Sequence, residues 1–168
     1  MTEFVDIYDA QKQRTGQRVP REGAFMQPGQ YTFYVLAIIK DAQGRFLITQ
    51  RSLHKHWAAG WWEVSGGGVR AGETPEEALV REVREEVGLD ISQAARTLVY
   101  SYTSEDNARG DNYHVNMYTV ELDFSVDDVL LQQEEAVACQ LATWQDICAL
   151  NEQGIFLHFS RVQTALGL

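Results

Sequence analysis

The feature of this sequence that most restricts its fold is a helix with well-marked ends that follows three consecutive glycines. Thr74 supplies an N-cap, Pro75 suits the first helical turn, and Glu77 stands three residues after Thr74, as in a capping box. Gly88 is a residue type at which helices commonly end. Glycines at 66–68 leave the backbone before the helix open to close approach. The sequence therefore predicts a glycine loop followed directly by a capped helix.

Strand and helix patterns surround this central segment. Runs rich in β-branched and aromatic residues predict strands at residues 4–8, 31–39, 45–50, 61–65, 96–103, 113–123 and 135–142. A turn signal at 41–44 joins two of them into a hairpin, and further helices are predicted at 144–151 and 158–166. No repeat or linker interrupts the pattern. We expect an α/β fold with a mixed sheet, as a single domain over residues 1–168 with residues 1–30 as an N-terminal arm packed on it.

The predicted helix carries a cluster of acids beside its apolar face. On a helical wheel Glu82, Glu85 and Glu86 lie together, next to the stripe formed by Leu79, Val80, Val83 and Val87. Like charges repel, so three neighbouring carboxylates are unfavourable unless a cation lies among them, and Mg²⁺ prefers such oxygen ligands. The alternative is a solvated helix face on which Arg81 and Arg84 balance the acids.

The composition argues against several classes of partner. The 168 residues include 14 Lys and Arg against 24 Asp and Glu, a formal charge of −10. This charge attracts neither nucleic acid nor anionic lipid, so a phosphate-bearing ligand needs a local cation. No apolar run is long enough to span a bilayer, and the first residues do not form a secretory leader. The two cysteines form neither a disulfide framework nor a CxxC site, so we expect a cytoplasmic location.

The spacing of residues between Gly67 and Leu89 resembles the complete Nudix box. The matching positions are Gly67, Glu73, residues 81–83, residues 85–86 and residues 88–89. The order of hairpin, glycine loop, capped helix and later strands is also similar to the Nudix α/β/α sandwich. The resemblance implies a hydrolase in which water attacks phosphorus, with a divalent metal, at the diphosphate linkage of a nucleoside diphosphate derivative or a related organic diphosphate.

The resemblance also implies roles for residues of the box. Glu82 and Glu86 would bind Mg²⁺, with Mn²⁺ as an alternative, and Gly67 would contribute its carbonyl oxygen. Arg81 and Glu73 would form an ion pair that holds the loop against the helix. The cation would neutralise the bridging phosphates and lower the pKa of a bound water.

The group that removes the proton from water is left open by the sequence. Glu85 is either a metal ligand or the activating group, as the Nudix resemblance implies. In this family the base is sometimes a carboxylate outside the box, for which Glu134 and Glu135 are the candidates. The alternative for this pair is a pair of exposed acids at the start of a strand.

The segment before the glycines resembles a Nudix branch related to isopentenyl diphosphate isomerases. In those enzymes the residues matching Arg51 and Lys55 hold a diphosphate, which makes both candidates for binding substrate phosphate. Surface charges at the end of a hairpin are the alternative. Isomerase chemistry is not supported by the box, because the positions of that branch's Cys and His are occupied by Gly66 and Gly68.

Three functions follow from these patterns. The main hypothesis is a Nudix diphosphohydrolase acting on a small-molecule diphosphate, without a nucleic-acid or membrane partner. The alternatives are an isomerase-like enzyme and a non-catalytic Nudix-like module that binds a ligand. The substrate and the oligomeric state stay open, with a homodimer as one option.

Overall fold

A seven-stranded mixed sheet forms the middle of the structure, a computed structural model that describes residues 1–168. The elements in chain order are β1 (Phe4–Tyr8), β2 (Arg14–Pro20), β3 (Thr32–Lys40), β4 (Phe46–Arg51), β5 (Trp62–Glu63), β6 (Ser65–Gly68), α1 (Pro75–Val87), β7 (Ala95–Ser104), β8 (Tyr113–Glu121), β9 (Ala136–Ala142), α2 (Trp144–Glu152) and α3 (Phe159–Leu166). A short 3₁₀ turn at Val126–Asp128 precedes β9. None of the three helices is long and apolar enough to cross a bilayer.

The sheet is mixed because one central pair of strands is parallel. Strands β3 and β8 run parallel from the Thr32–Tyr113 pair to the Lys40–Glu121 pair, and the other strand pairs are antiparallel. Alternate residues of a strand face opposite sides, so β3 contributes to two cores. One core packs against α1, and the other packs against α2 and α3. The predicted α/β fold with helices on both sides of a mixed sheet is confirmed.

The predicted hairpin of β3 and β4 opens into a fork. The two strands pair only next to their turn, where Lys40 lies opposite Phe46. Beyond that point β5 pairs with β4, and β6 pairs with β3. Residues 62–68 therefore fill the gap between the two strands, at the point where α1 crosses the sheet.

The three glycines form a strand, so the prediction of a glycine loop was wrong. Strand β6 includes all of them and pairs in register with β3, with Gly66 opposite Leu36 and Gly67 opposite Val35. A Cβ atom at Gly66 would collide with the Val35 carbonyl, and one at Gly67 would collide with the Glu82 carboxylate. Glycine is needed here because the neighbouring strand and helix approach the backbone closely, which strand propensities do not register.

The N-terminal arm contains a hairpin of which only the first strand was predicted. Strands β1 and β2 pair antiparallel from Phe4–Pro20 to Tyr8–Arg14. Strand β2 was missed because its polar residues are almost all exposed and show no apolar alternation. The hairpin is joined to the sheet by backbone hydrogen bonds in both directions between Tyr8 and Tyr31.

The ends of α1 are as the sequence predicts. Thr74 Oγ1 accepts the Glu77 N–H at 3.2 Å, and the Glu77 carboxylate accepts the Thr74 N–H at 2.9 Å. Gly88 ends the helix in the left-handed region, with φ of 71°. The inner face buries Leu79, Val83 and Val87 completely. The acidic side of α1, next to this buried face, is thereby directed at β6.

Candidate active site

Two acids of α1 face the glycine strand β6. The Glu82 carboxylate lies directly over Gly67, and its side chain is only 12% exposed. The backbone N–H of Gly66 donates a hydrogen bond to Glu86 Oε2 at 3.2 Å. Helical spacing places the two carboxylates one turn apart on the same side, so both point into the fork.

Burial and like charges act together on this pair of acids. Burial raises the pKa of Glu86 well above its usual range, and the charges of Glu82 and Glu63 raise it further. The Gly66 N–H partly offsets that rise. Burial also raises the pKa of Glu82, against the opposing effect of Arg81. The carboxylates are thus held together at a cost that a bound cation would relieve.

Glu85 lies beside Glu82 but is more exposed than the other two acids. Its side chain is 42% exposed, and its carboxylate pairs with Arg81 at 3.3 Å and with Arg70 at 3.5 Å. Arg81 Nη1 also donates to Glu82 Oε1 at 2.8 Å, so Glu85 shares this guanidinium with Glu82, but the three carboxylates do not converge closely enough to form a metal cluster. Its place beside two guanidinium groups neutralises its charge within the chain.

Arg81 forms the predicted ion pair with Glu73 and links the loop to the helix. Its Nε and Nη2 donate to the two Glu73 oxygens at 2.5 and 2.9 Å. Nη2 also donates to the Gly68 carbonyl at 2.9 Å, and Nη1 donates to Glu82 Oε1 at 2.8 Å. One guanidinium therefore fixes the end of β6 and the position of Glu82 at once.

The other side of the fork carries a second group of charges. Arg51 at the end of β4 donates to the carboxylate of Glu63 at 3.1 Å, and Lys55 pairs with Glu135. Glu135 is 41% exposed, whereas its neighbour Glu134 is fully on the surface. Two of these four residues, Glu63 and Glu135, lie near enough to Glu86 for their charges to raise its pKa.

Glu63 is a site residue that sequence reasoning missed. Burial raises its pKa, and Arg51 and Lys55 oppose that shift. The available signal was a single acid in the otherwise apolar run immediately before the glycines. An acid in a predicted buried strand needs a partner or a ligand, and here Arg51 is the partner.

Arg21 is a second residue that the sequence did not indicate. It follows β2, donates to Glu3 Oε1 at 2.8 Å, and places its guanidinium beside Gly68. Burial works against its charge, but Glu3, Tyr34 and Glu82 outweigh this effect and raise its pKa. Its position depends on the arm folding back over the sheet, which no local pattern reveals.

The donor set suits a hard divalent cation held together with a phosphate ligand. No three Asp, Glu, His or Cys side chains converge closely enough to hold a metal ion by themselves. Mg²⁺ in enzymes is usually held by one or two carboxylates, while substrate phosphates and water complete its shell. Glu82 and Glu86, with their mutual repulsion in a partly buried fork, meet that requirement.

Comparisons with known proteins identify the family of this chain. Residues 30–159 match the NUDIX domain family. An uncharacterized Nudix hydrolase of Listeria monocytogenes is 28% identical over 155 residues, which cover 92% of this chain and 88% of the relative. The 8-oxo-dGTP diphosphatase of Proteus vulgaris is 45% identical over 56 residues, covering 33% of this chain and 49% of that protein.

The fold is also found among solved structures. A crystal structure of a Deinococcus radiodurans protein aligns with a TM-score of 0.72 and 22% identity, covering 91% of each chain. The matched family residues include the fork, α1 and the paired charges described above. The chain therefore belongs to the Nudix hydrolase family.

Proposed function

We propose that this protein is a Mg²⁺-dependent diphosphohydrolase that cleaves the diphosphate linkage of a nucleoside diphosphate derivative. The observation that carries the proposal is the pair of partly buried carboxylates, Glu82 and Glu86, held over the glycine strand within a complete Nudix box. The diphosphatase activity named for the Proteus vulgaris relative is the same class of reaction.

The residues of the fork would have different roles in the reaction. Glu82 and Glu86, with the carbonyl of Gly67, would hold the cation, whose role is to neutralise phosphate charge and lower the pKa of water. Arg81 keeps Glu82 in place by its hydrogen bond at 2.8 Å. Arg51 would bind the phosphates by exchanging its contact with Glu63 for substrate oxygens, since a guanidinium fork suits both.

Two carboxylates are candidates for the base that takes the proton from water. Glu135 lies near enough to Glu86 for its charge to act on it, and its ion pair with Lys55 keeps it on the site side of the fork. Glu85 pairs with Arg70 and Arg81, and it shares Arg81 Nη1 with the site acid Glu82. Both carboxylates stay candidates, and for Glu135 the opening of its pair would free Lys55 to contact substrate phosphate.

The two alternative functions have weaker support. The isomerase-like hypothesis rests on Arg51 and Lys55, but strand β6 presents no side chain at Gly66 or Gly68, where that branch has its Cys and His. A non-catalytic module would have no need of Glu82 and Glu86 as a matched pair. A homodimer, a cytoplasmic location and a single domain with an N-terminal arm stay predictions of the sequence.

The test is turnover by Glu82→Gln and Glu86→Gln variants. Nucleoside diphosphate sugars, dinucleotides, nucleoside triphosphates and prenyl diphosphates are incubated with Mg²⁺ or Mn²⁺, and phosphorus-containing products are identified. We expect hydrolysis of a nucleotide by the native chain and a loss of about 100-fold or more in kcat for either variant. Glu76→Gln, an exposed acid of the same helix, is the matched control and should retain activity.

Circular dichroism and thermal melting establish that the variants fold. Unchanged turnover in folded Glu82→Gln and Glu86→Gln would contradict the proposal. Conversion of a prenyl diphosphate with its diphosphate intact would favour the isomerase. Ligand binding without any turnover across the substrates would favour the binding module.

A further inference from the structure

The sheet face opposite α1 contains a cavity of about 520 Å³ beside the start of α3. Nine residues line it, of which four are Tyr or Trp and two carry a full charge. The aromatic residues are Tyr34, Trp57, Tyr102 and Tyr113, and the charged residues are Arg109 and Asp111. Its volume is in the range of sites that bind small molecules.

The aromatic rings are fixed rather than loosely placed. Tyr34 and Tyr113 pack edge to face with their centroids 5.3 Å apart. The Arg161 guanidinium covers Tyr102 from one side, 3.9 Å from the ring centroid, and burial raises the pKa of Tyr102 to about 12. A rigid set of rings with polar hydroxyls suits a flat partner.

Trp57 is the exposed member of this wall. Trp57 is 61% exposed, and the Arg51 guanidinium lies over its ring, 5.4 Å from the centroid. The same Arg51 contacts Glu63 in the fork at 3.1 Å. An exposed tryptophan held by a residue of the proposed phosphate site is placed to touch a ligand that occupies both regions.

The cavity also lies close to the backbone that binds the acids of α1. Leu36, which lines the cavity, is the strand partner of Gly66, whose N–H donates to Glu86. Neighbouring strands lie about 4.8 Å apart, so one strand spacing separates the cavity wall from the backbone that holds Glu86. Tyr34 and Asp111 are shared with a smaller cleft that reaches Arg21 and Gly68.

From this geometry we propose that the cavity binds the nucleobase of the substrate, stacked on the Trp57 side and read at its edge by Asp111. The inference rests on the proposed function and deepens it, since it assigns the part of the substrate beyond the diphosphate. An isoprenoid chain would fill the cavity but leave the tyrosine hydroxyls and Asp111 without partners. A heteroaromatic base offers both a flat face and polar edge groups.

Asp111 sets which base edge is favoured. Its carboxylate accepts hydrogen bonds only, so it favours a base with N–H groups on the edge that enters the cavity. Guanine presents two such donors side by side, at N1 and at the N2 amino group, and both match the two oxygens of a carboxylate. Hypoxanthine lacks the amino group and retains one donor.

The experiment measures binding of guanosine 5′-monophosphate by calorimetry, without divalent metal and independently of turnover. We expect inosine 5′-monophosphate to bind roughly 10-fold more weakly, and ribose 5-phosphate more weakly still. Trp57→Leu should weaken guanosine monophosphate binding about 10-fold through lost stacking. Asp111→Ala should remove the preference for guanosine over inosine, while Asp127→Ala, an exposed acid far from the cavity, should keep it.

The inference is overturned by equal affinities for guanosine and inosine monophosphates, by ribose 5-phosphate binding as well as either, or by unchanged binding in folded Trp57→Leu. The outcomes separate this inference from the proposed function. Base-selective binding with no metal-dependent hydrolysis would contradict the function and leave the cavity assignment standing. Hydrolysis with base-independent binding would contradict the cavity assignment alone.

Discussion

The two faces of the sheet are covered in different ways. The face under α1 is closed: Val35, Ala37 and Ile39 of β3 are fully buried there against the apolar side of the helix. On the other face α2 and α3 cover Ile38 and Met117, but they leave Tyr34 and Tyr113 only partly covered beside the cavity.

This difference separates stability from recognition. The closed face needs only apolar packing, and α1 uses its remaining edge to carry Glu82 and Glu86 to the fork. The open face keeps aromatic surface available at the end nearest the same fork. Substitutions of buried side chains under α1 should therefore lower stability, whereas substitutions of the aromatic residues that line the cavity should weaken ligand binding.

The largest expected effect is on the closed face. Leu79→Ala removes a fully buried side chain and should lower the free energy of unfolding by about 2–5 kcal/mol. Tyr102→Leu on the open face should change it by less than about 1 kcal/mol, because the ring is only partly buried. Urea denaturation measures both, with the exposed Leu98→Ala as a control. Equal losses for Leu79 and Tyr102 would abolish the distinction between the faces.

The next effect concerns the contact between α1 and β6. Gly67→Ala places a Cβ atom against the Glu82 carboxylate and should reduce kcat/KM roughly 10- to 100-fold, which is about 1.4–2.7 kcal/mol. Gly68→Ala is the matched control, because its Cβ would meet only the flexible end of Arg21 at 3.4 Å. Steady-state kinetics of both variants decide the matter, and similar losses would show that the close approach of Glu82 to Gly67 is unimportant.

A smaller effect on stability is expected at the N-caps of two helices on opposite faces of the sheet. Thr74 and Thr143 each begin a helix with a capping box, so Thr74→Ala and Thr143→Ala should each cost about 1 kcal/mol of stability. Only Thr74→Ala should also lower turnover, since α1 carries the acids of the fork. Thermal melts and kinetics run side by side test this, and an activity loss confined to Thr143→Ala would contradict it.

The smallest effect is in the hairpin turn away from both faces. Burial of Asp41 opposes its charge, but the N–H groups of Arg45 and Gln43 and the Arg45 guanidinium outweigh it and lower its pKa. Because the pKa of Asp41 is lower in the folded state, its ionised carboxylate stabilises the protein at pH values above the unfolded-state pKa of about 3.9. This stabilisation is lost as the pH falls through the folded-state pKa. The stability gap between the native chain and Asp41→Asn, about 1 kcal/mol at pH 7, should therefore shrink below pH 4. A gap that is constant from pH 7 to pH 3 would contradict this role.

Much of the fold was predictable because it depends on local signals. The capping residues of α1 and the apolar runs of β3 and β8 are visible in the sequence, and the pair of Arg81 with Glu73 was implied by the resemblance to the Nudix box. The glycines at 66–68 were misread as a loop because their pairing with β3 is set by the opening of a fork between distant strands. Strand β2 was missed for a related reason, since its residues are polar and its partner fixes its conformation.

The site was predictable in part. The spacing of the Nudix box identified Glu82 and Glu86. The buried apolar face of α1 beside them orients both side chains towards β6. The sequence could not show that Glu85 turns to Arg70, because that arginine lies in the loop before the helix. Glu63 and Arg21 reach the fork only through the pairing of β5 and the folding of the arm, which are tertiary contacts.

Binding of the divalent cation by Glu82 and Glu86 is tested most directly by a titration with Mn²⁺ followed by electron paramagnetic resonance. Inorganic pyrophosphate is present as the phosphate ligand. We expect the native chain and Glu76→Gln to bind the ion alike, and Glu82→Gln and Glu86→Gln each to weaken binding by about 10-fold or more. Equal binding by all four folded proteins would contradict the assignment of these two carboxylates to the cation.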